Sequence, residues 1–189
     1  GVRHTVRPLS ISYNHLVRRT AAFDEALEAN PGLELSFRNQ FIPQASYLFG
    51  FETRDPLSRH TFSLEAYVSE AGNLLSLCYP KDTPRPYRLA GSSFAQFVKG
   101  TLELRYAYQA SSMISLASRL YSGAIYSYGN QTVAPYTEQF YSGGANSLRG
   151  FNVRTLGPGA YSPQNPSPLS FLDRTGDLRL EANLELRAK

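Results

Sequence analysis

The sequence predicts an all-β protein, specifically an antiparallel up-and-down transmembrane β-barrel of which this chain is an incomplete segment. Runs of about ten residues alternate apolar with polar side chains, turn-forming residues separate these runs, and aromatic residues make up 13% of the chain. Transmembrane strands leave this kind of trace, which is weak in each single segment. No stretch approaches the roughly 18 unbroken apolar residues that a membrane-spanning helix needs.

Three alternating runs open the chain, at residues 8–14, 44–53 and 60–70. Each places apolar residues at every second position, the spacing that puts them on one face of a β-strand. Residues 55–58, Asp-Pro-Leu-Ser, are typical of a turn and connect the second run to the third.

A short helix is predicted at residues 22–28, where four apolar residues fall on one stripe. The Asn-Pro-Gly sequence at residues 30–32 is expected to end it. Residues 81–86 and 158–168 are rich in proline and are predicted to be loops.

The clearest strands lie in the second half of the chain. Residues 99–109 follow period two without exception, and residues 114–124 repeat the pattern after the short linker 110–112, so the two runs predict a hairpin. The strongest alternation is at residues 178–187, where every second residue is polar or charged.

Alternation alone does not distinguish a barrel from a soluble sheet, because both have period two. The polar positions, however, carry long charged side chains such as Glu103, Arg105, Arg119 and Arg179, which suit a polar barrel lumen. Tyrosines near the ends of the runs suit the aromatic girdles at membrane interfaces. A soluble sheet whose charges face solvent remains the alternative.

Composition argues against several other classes of protein. The net charge is +4, but lysines and arginines are scattered singly, which is not the basic patch of a nucleic-acid-binding protein. Cys78 is the only cysteine, and the three histidines, His4, His15 and His60, lack the spacing of metal ligands. No catalytic or cofactor-binding motif is present, so we expect neither an enzyme nor a metal or cofactor.

The first residues lack a basic segment followed by an apolar core, so they do not resemble a secretory signal. Because an outer-membrane protein should carry such a signal, we expect that residue 1 is not the natural start.

A long loop at about residues 130–175 separates the last two strong strands, and loops of this length are usually functional. Its Gly-Gly-Ala-Asn-Ser-Leu-Arg-Gly-Phe stretch, residues 143–151, resembles the (Val/Ile/Leu)-Arg-Gly-(Phe/Tyr) signature on the sixth extracellular loop of the BamA/TamA superfamily, the bacterial surface antigen family. Residues 154–159 and 176–183 are similar to the same family. The resemblance covers about residues 94–188 well and the preceding chain only loosely.

The resemblance implies a barrel of about 16 strands in the bacterial outer membrane, preceded by periplasmic repeats. Residues 1–189 would then be part of that barrel, without the repeats and the remaining strands. The implied function is insertion or translocation of outer-membrane proteins. The implied partners are outer-membrane lipid, nascent outer-membrane proteins, and accessory lipoproteins or periplasmic assembly proteins.

In this family the loop folds inward and its arginine pairs with acidic residues on the barrel wall. The matching arginine is Arg149, the candidate partner is Glu185, and Glu181 is the alternative. Phe151 is expected to pack against the wall, and Leu148 stands where valine is commoner. The glycines of the motif are expected to permit the backbone angles of a folded-back loop. The loop motif comprises Gly143, Gly144, Leu148, Arg149, Gly150 and Phe151.

Three other functions fit parts of the same pattern. A dedicated secretion pore would share the architecture. The barrel could also anchor a fused lipase, whose catalytic serine and aspartate would lie upstream of residue 1. The third is a soluble β-sandwich that acts as a binding module.

Overall fold

A computed structural model describes residues 1–29, 31–53, 55, 57–80, 82–160 and 174–188. In this part of the chain the strands are β1 (Val2–Asn14), β2 (Gln40–Glu52), β3 (His60–Ala71), β4 (Arg88–Leu89), β5 (Ser92–Phe94), β6 (Phe97–Gln109), β7 (Ile114–Ser127) and β8 (Leu178–Ala188). The helices are α1 (Ala21–Ala29), α2 (Pro31–Ser36) and α3 (Asn73–Ser76).

All eight of these strands belong to one sheet. Its main part is an antiparallel array in the order β1-β2-β3-β6-β7-β8, as expected for an up-and-down barrel. The short strand β5 runs parallel to the first residues of β2, and β4 pairs with β5. The sheet is open, which confirms the prediction of an incomplete barrel segment.

Strand register divides the sheet into two faces, because directly paired residues point to the same side. Leu104 of β6 pairs with Leu64 of β3 and with Leu120 of β7, and every second residue along each of these strands lies on the same side. We call this side the outward face. It includes Val2, His4, Val6, Tyr47, Phe49, Phe51, Phe62, Leu64, Ala66, Leu102, Leu104, Tyr106, Leu116, Leu120, Leu180, Leu184 and Leu186.

The opposite side, here the polar face, carries the charges that the sequence placed in a lumen. Its residues on the last three strands include Lys99, Thr101, Glu103, Arg105, Arg119, Tyr121, Arg179, Glu181, Asn183, Glu185 and Arg187. The main core also lies on this side, at the end of the sheet where β7 leads into the long loop. It consists of Ile42, Ala71, Ala95, Phe97, Ile125, Ala134 and Phe140.

The connections between the long strands differ in length at the two ends of the sheet. At one end residues 53–59 and 110–113 make short turns, and at the other residues 15–39, 72–96 and 128–177 make long connections. This asymmetry is typical of bacterial outer-membrane barrels.

The turn at residues 55–58 is confirmed, since the Leu57 and Ser58 N–H groups donate to the Asp55 side chain and carbonyl at 3.0 and 3.2 Å. The helix predicted at residues 22–28 is α1, which ends at Ala29, directly before the predicted stop at residues 30–32. A second helix, α2, which was not predicted, begins at Pro31. Proline suits the first turn of a helix, where its missing N–H would have no partner inside the helix.

Strand β1 is longer than predicted and shifts register between Arg7 and Ser10, as in a β-bulge. Most of the predicted loop at residues 158–168 lies outside the described residues. Among the described helices, none combines the length and the apolar character that a bilayer crossing requires.

Candidate functional site

The connection after β7 folds back over the polar face of the last three long strands. Phe140 and Gly176 exchange backbone hydrogen bonds of 2.9 Å, which close the described part of this loop onto the start of β8. The Phe140 ring is 7% exposed and lies against Gly123 and Tyr121 of β7. A Cβ at Gly123 would lie 2.7 Å from this ring, so only glycine leaves room for it.

A second contact connects the loop to β6. The Lys99 Nζ donates to the Glu138 carbonyl at 2.8 Å and to its carboxylate at 3.0 Å. The same ammonium lies 5.1 Å from the centre of the Phe140 ring. Both charged side chains are largely buried, so this ion pair is screened less than one at the surface.

The signature segment, residues 142–154, contains the Leu-Arg-Gly-Phe motif. Backbone hydrogen bonds join its two ends. The Gly144 N–H donates to the Phe151 carbonyl at 2.9 Å, and the Arg154 N–H donates to the Ser142 carbonyl at 2.9 Å. Within this closure the Gly143 N–H donates to the Ser147 Oγ at 3.3 Å. These contacts turn Ser147 toward the strands below.

Five charged side chains on β6, β7 and β8 form what we call the ion network. Glu103 Oε1 accepts from both Arg105 Nε and Arg119 Nε at 2.6 Å. Arg119 Nη1 also donates to Glu181 Oε1 at 2.8 Å, and Arg179 pairs with the other oxygen of Glu181. The Glu181 side chain is only 6% exposed, so its negative charge has to be stabilised by pairing with these two arginines.

The ion network holds the loop through two hydrogen bonds. The Ser147 hydroxyl donates to Glu181 Oε2 at 2.8 Å, and Arg119 Nη1 donates to the Asn146 carbonyl at 3.1 Å. Hydrogen bonds to charged groups are stronger than those between neutral groups. The arrangement therefore fixes the residues just before the Leu-Arg-Gly-Phe motif on the wall of the sheet.

Arg149 forms no ion pair with the described acidic residues of β8. Its guanidinium is exposed and makes no ion pair with another described residue, although its charge acts on Glu185. Glu185 pairs with Arg187 at 3.1 Å, and Glu181 is occupied by the ion network. A direct pairing of Arg149 with Glu185 or Glu181 stays a prediction.

Packing of Phe151 against the wall stays a prediction. Its side chain is 52% exposed, and Leu148 is also exposed. Phe140 of the same loop does pack against the described strands. The sequence does contain a signal for this contact, because an inward-facing glycine within a strong strand, here Gly123, often marks a close approach.

Arg154 packs on two tyrosines of its own loop, one of which contacts the first long connection, and no signal in the sequence predicts these contacts. Its guanidinium lies 4.6 Å from the Tyr136 ring centre and 4.5 Å from that of Tyr141. Tyr136 in turn stacks on Phe37 at 4.3 Å, beside a small core formed with Leu27 and other residues of α1 and α2. Arg154 has φ 59°, a backbone conformation that is uncommon outside glycine.

The described residues include no group of three or more His, Cys, Asp or Glu side chains that could hold a metal ion. The polar groups of the site are instead engaged with one another across the loop and the wall. What this arrangement provides is a docked loop held by charge-assisted hydrogen bonds.

Gly143→Ala is expected to open the signature segment, whereas Gly150→Ala should leave it closed. Both glycines have positive φ, 96° and 92°, so either substitution carries a strain of about 1 kcal/mol. A Cβ at Gly143 would also lie 2.1 Å from the Asn152 carbonyl oxygen, while none would meet an atom within 4 Å at Gly150. Protease cleavage within residues 140–155 of the full-length protein would measure this. Equal cleavage of the two variants would contradict the close approach at Gly143.

A family model described as the Omp85 superfamily domain matches residues 83–189, more than half of the chain. The matched region includes β4 to β8 and the docked loop. No curated protein matches the sequence.

Proposed function

The chain belongs to the Omp85 superfamily, and on this premise we propose that residues 1–189 are part of the barrel of a bacterial outer-membrane factor that inserts or translocates other proteins. The superfamily has this general role in the outer membrane, and the BamA/TamA branch is the finer proposal. One observation carries it: the outward face is apolar and exposed, while the polar face holds a docked loop.

The height of the outward face supports a lipid environment. On β6 its residues run from Val98 to Tyr108, which at about 3.3 Å per residue is roughly 33 Å along the strand. A strand tilted by about 40° covers about 25 Å of that along the membrane normal, which equals the usual height of the apolar band.

Aromatic residues at both ends of the outward face support two membrane interfaces. At the short-turn end His60 stacks on Tyr108 at 4.8 Å, and its Nδ1 lies 2.7 Å from the Tyr106 hydroxyl. At the other end Tyr13 packs on Phe41 at 4.6 Å. Rings with a polar tip favour the boundary between lipid and water.

The unequal connections suggest an orientation. Long connections of such barrels are extracellular and the short turns periplasmic. The loop after β7 would then enter the lumen from outside. Outer-membrane lipid would cover the outward face, and the substrates would be nascent outer-membrane proteins. Accessory lipoproteins or periplasmic assembly proteins would be further partners.

We also propose that this segment has no catalytic role. The polar side chains nearest the signature motif, Ser147, Glu181 and Arg119, already hold the loop. A soluble β-sandwich is less well supported, because it needs a second sheet over its apolar face and the described strands all lie in one sheet. A secretion pore differs from an assembly factor in its range of substrates.

The test uses the full-length protein in liposomes and follows the folding of two unrelated outer-membrane barrels by their heat-modifiable gel shift. The wild-type protein is expected to accelerate the folding of both barrels. The Arg149→Glu variant is expected to fold them at least fivefold more slowly than wild type does. Adding Glu185→Arg should recover part of the loss, because the charges near Glu185 are then exchanged. Acceleration of a single partner would indicate a secretion pore. No acceleration would refute the proposed function, and full activity of Arg149→Glu would refute a role for its charge.

A further inference from the structure

A second feature of the molecule is a short outer layer that covers the outward face at the long-connection end. Phe94 of β5 pairs with Phe41 of β2, so its ring points to the same outward side. Phe94 is nevertheless fully buried. The Tyr79 and Tyr87 rings cover it, with centres 5.9 and 6.4 Å from its own, and they stack on each other at 4.6 Å. The chain after β3 therefore crosses the outer side of the wall.

Helix α3 belongs to the same outer layer and covers Gln96. The Tyr128 N–H donates to the Gln96 carbonyl at 3.1 Å, which extends the ladder of β6 and β7 by one pair. Because the neighbouring Phe97 lies in the core on the polar side, Gln96 points outward, yet it is only 6% exposed. Its Nε2 donates to Asn73 Oδ1 and to Ser76 Oγ, both at 3.2 Å. One stripe of α3 is thus turned toward the wall.

The exposed part of this helical turn is apolar. Leu74 and Leu77 lie three residues apart, which places them on a common stripe, and they are 65% and 81% exposed. The turn is joined to the outward face through two tyrosines. The Tyr128 hydroxyl donates to Asn73 Oδ1 at 2.8 Å, and its ring stacks at 5.6 Å on Tyr126, the last outward residue of β7. The exposed leucines therefore extend the apolar surface of the outward face.

The position of Gln96 sets the depth of α3 relative to the membrane. Gln96 lies two residues beyond Val98, where the apolar band ends, which is about 7 Å along the strand and about 5 Å along the membrane normal. This is the boundary between acyl chains and headgroups, where interfacial segments bury their apolar side chains. Glu70, which pairs with Val98, accepts a hydrogen bond from the Asn73 N–H at 3.2 Å. The one carboxylate on this row is therefore engaged with the start of α3.

We propose that residues 73–77 are a lipid anchor, in which Leu74 and Leu77 insert among the acyl chains of the leaflet at the long-connection end. The inference rests on the proposed membrane function, which places the outward face in lipid. Continuity with that face favours lipid over a protein partner, because the leucines lie on the outer side of the wall at the edge of its apolar band. The anchor holds the chain between β3 and β5 outside the barrel.

The experiment places the full-length protein in phosphatidylcholine liposomes, with a nitroxide label on Leu77→Cys after every native cysteine, Cys78 included, has been replaced by serine. Electron paramagnetic resonance measures collisions of the label with oxygen and with a water-soluble nickel chelate present on both sides of the membrane. The ratio of oxygen to nickel collisions is expected to be at least about fivefold higher than for Val153→Cys, because oxygen concentrates in an apolar phase that excludes the chelate. Val153 is the matched control, an exposed apolar residue of the signature segment.

A label on Leu120→Cys, in the middle of the outward face, separates failure of the anchor from failure of the proposed function. If the Leu120→Cys label lies in lipid while the Leu77→Cys label behaves like that on Val153→Cys, the anchor alone is overturned. If the Leu120→Cys label is also exposed to water, the membrane function fails as well. A Leu77→Cys label that is immobilised and collides with neither reagent would reveal a protein partner over α3, and it too would overturn the lipid anchor.

Discussion

Glu181→Gln is expected to release the loop from the polar face and to lower the free energy of unfolding by about 3 kcal/mol. The substitution keeps the size of the side chain and removes its charge. Arg119 and Arg179 would then lose the carboxylate between them on a largely buried part of the wall. Ser147 would also lose the anionic acceptor that holds the loop. Arg119 keeps its pairing with Glu103, whereas Arg179 loses its carboxylate partner. Removing one partner of a buried ion pair is costly because it leaves the other charge, here that of Arg179, uncompensated.

Two measurements check this result on the full-length protein: unfolding in denaturant, and protease cleavage within residues 140–155. Glu185→Gln is the matched control on the same strand and the same face. Its carboxylate is 49% exposed and pairs with Arg187, so its loss should leave the stability almost unchanged. If the Glu185 variant releases the loop and the Glu181 variant does not, the loop is held at Glu185, and the ion network does not hold it.

Leu120→Arg is expected to lower the stability of the protein in a bilayer by about 2–4 kcal/mol. Leu120 lies near the middle of the outward face, pairs with Leu104 and Ala182, and is 50% exposed. A charged side chain there would face the centre of the hydrocarbon layer. In a soluble protein the same substitution at an exposed position would change stability by only about 0.5 kcal/mol.

The matched control for this prediction is Ile114→Arg, on the same strand and the same face but beside the short turn. Near a membrane interface the cost should fall to about 0–1 kcal/mol. Reversible unfolding from liposomes measures both variants. Equal stability of the two would show that the outward face does not lie in lipid, and the proposal of a membrane barrel would fail.

The strands with the strongest alternation, β6, β7 and β8, were predictable in position and in face. Successive residues of these strands face an apolar environment and a polar lumen in turn. Apolar and polar residues therefore alternate in the sequence, where the pattern can be recognised. Strands β4 and β5 were not predictable, because each has only two or three residues and owes its place to pairing with distant β2. Helix α2 was missed because proline is compatible with both a stop and a start.

The location of the candidate site was predictable from the loop motif, whereas its contacts were not. Arg119 binds the carbonyl of Asn146, and a backbone carbonyl has no signature in the sequence. The role of Glu181 toward Ser147 depends on how far the loop reaches down the wall, which local residue preferences do not determine.

The stacking of Tyr136 has a consequence for motion of the loop. Tyr136 touches Arg154 on the loop side and Phe37 on the side of α1 and α2. The loop after β7 and the first long connection therefore contact each other through Tyr136, although more than 80 residues of chain separate them. A substrate that displaced the loop would have to move α1 and α2 together with it, or separate the Tyr136 ring from the Phe37 ring. The first long connection thus adds its own packing to the force that resists opening of the lumen.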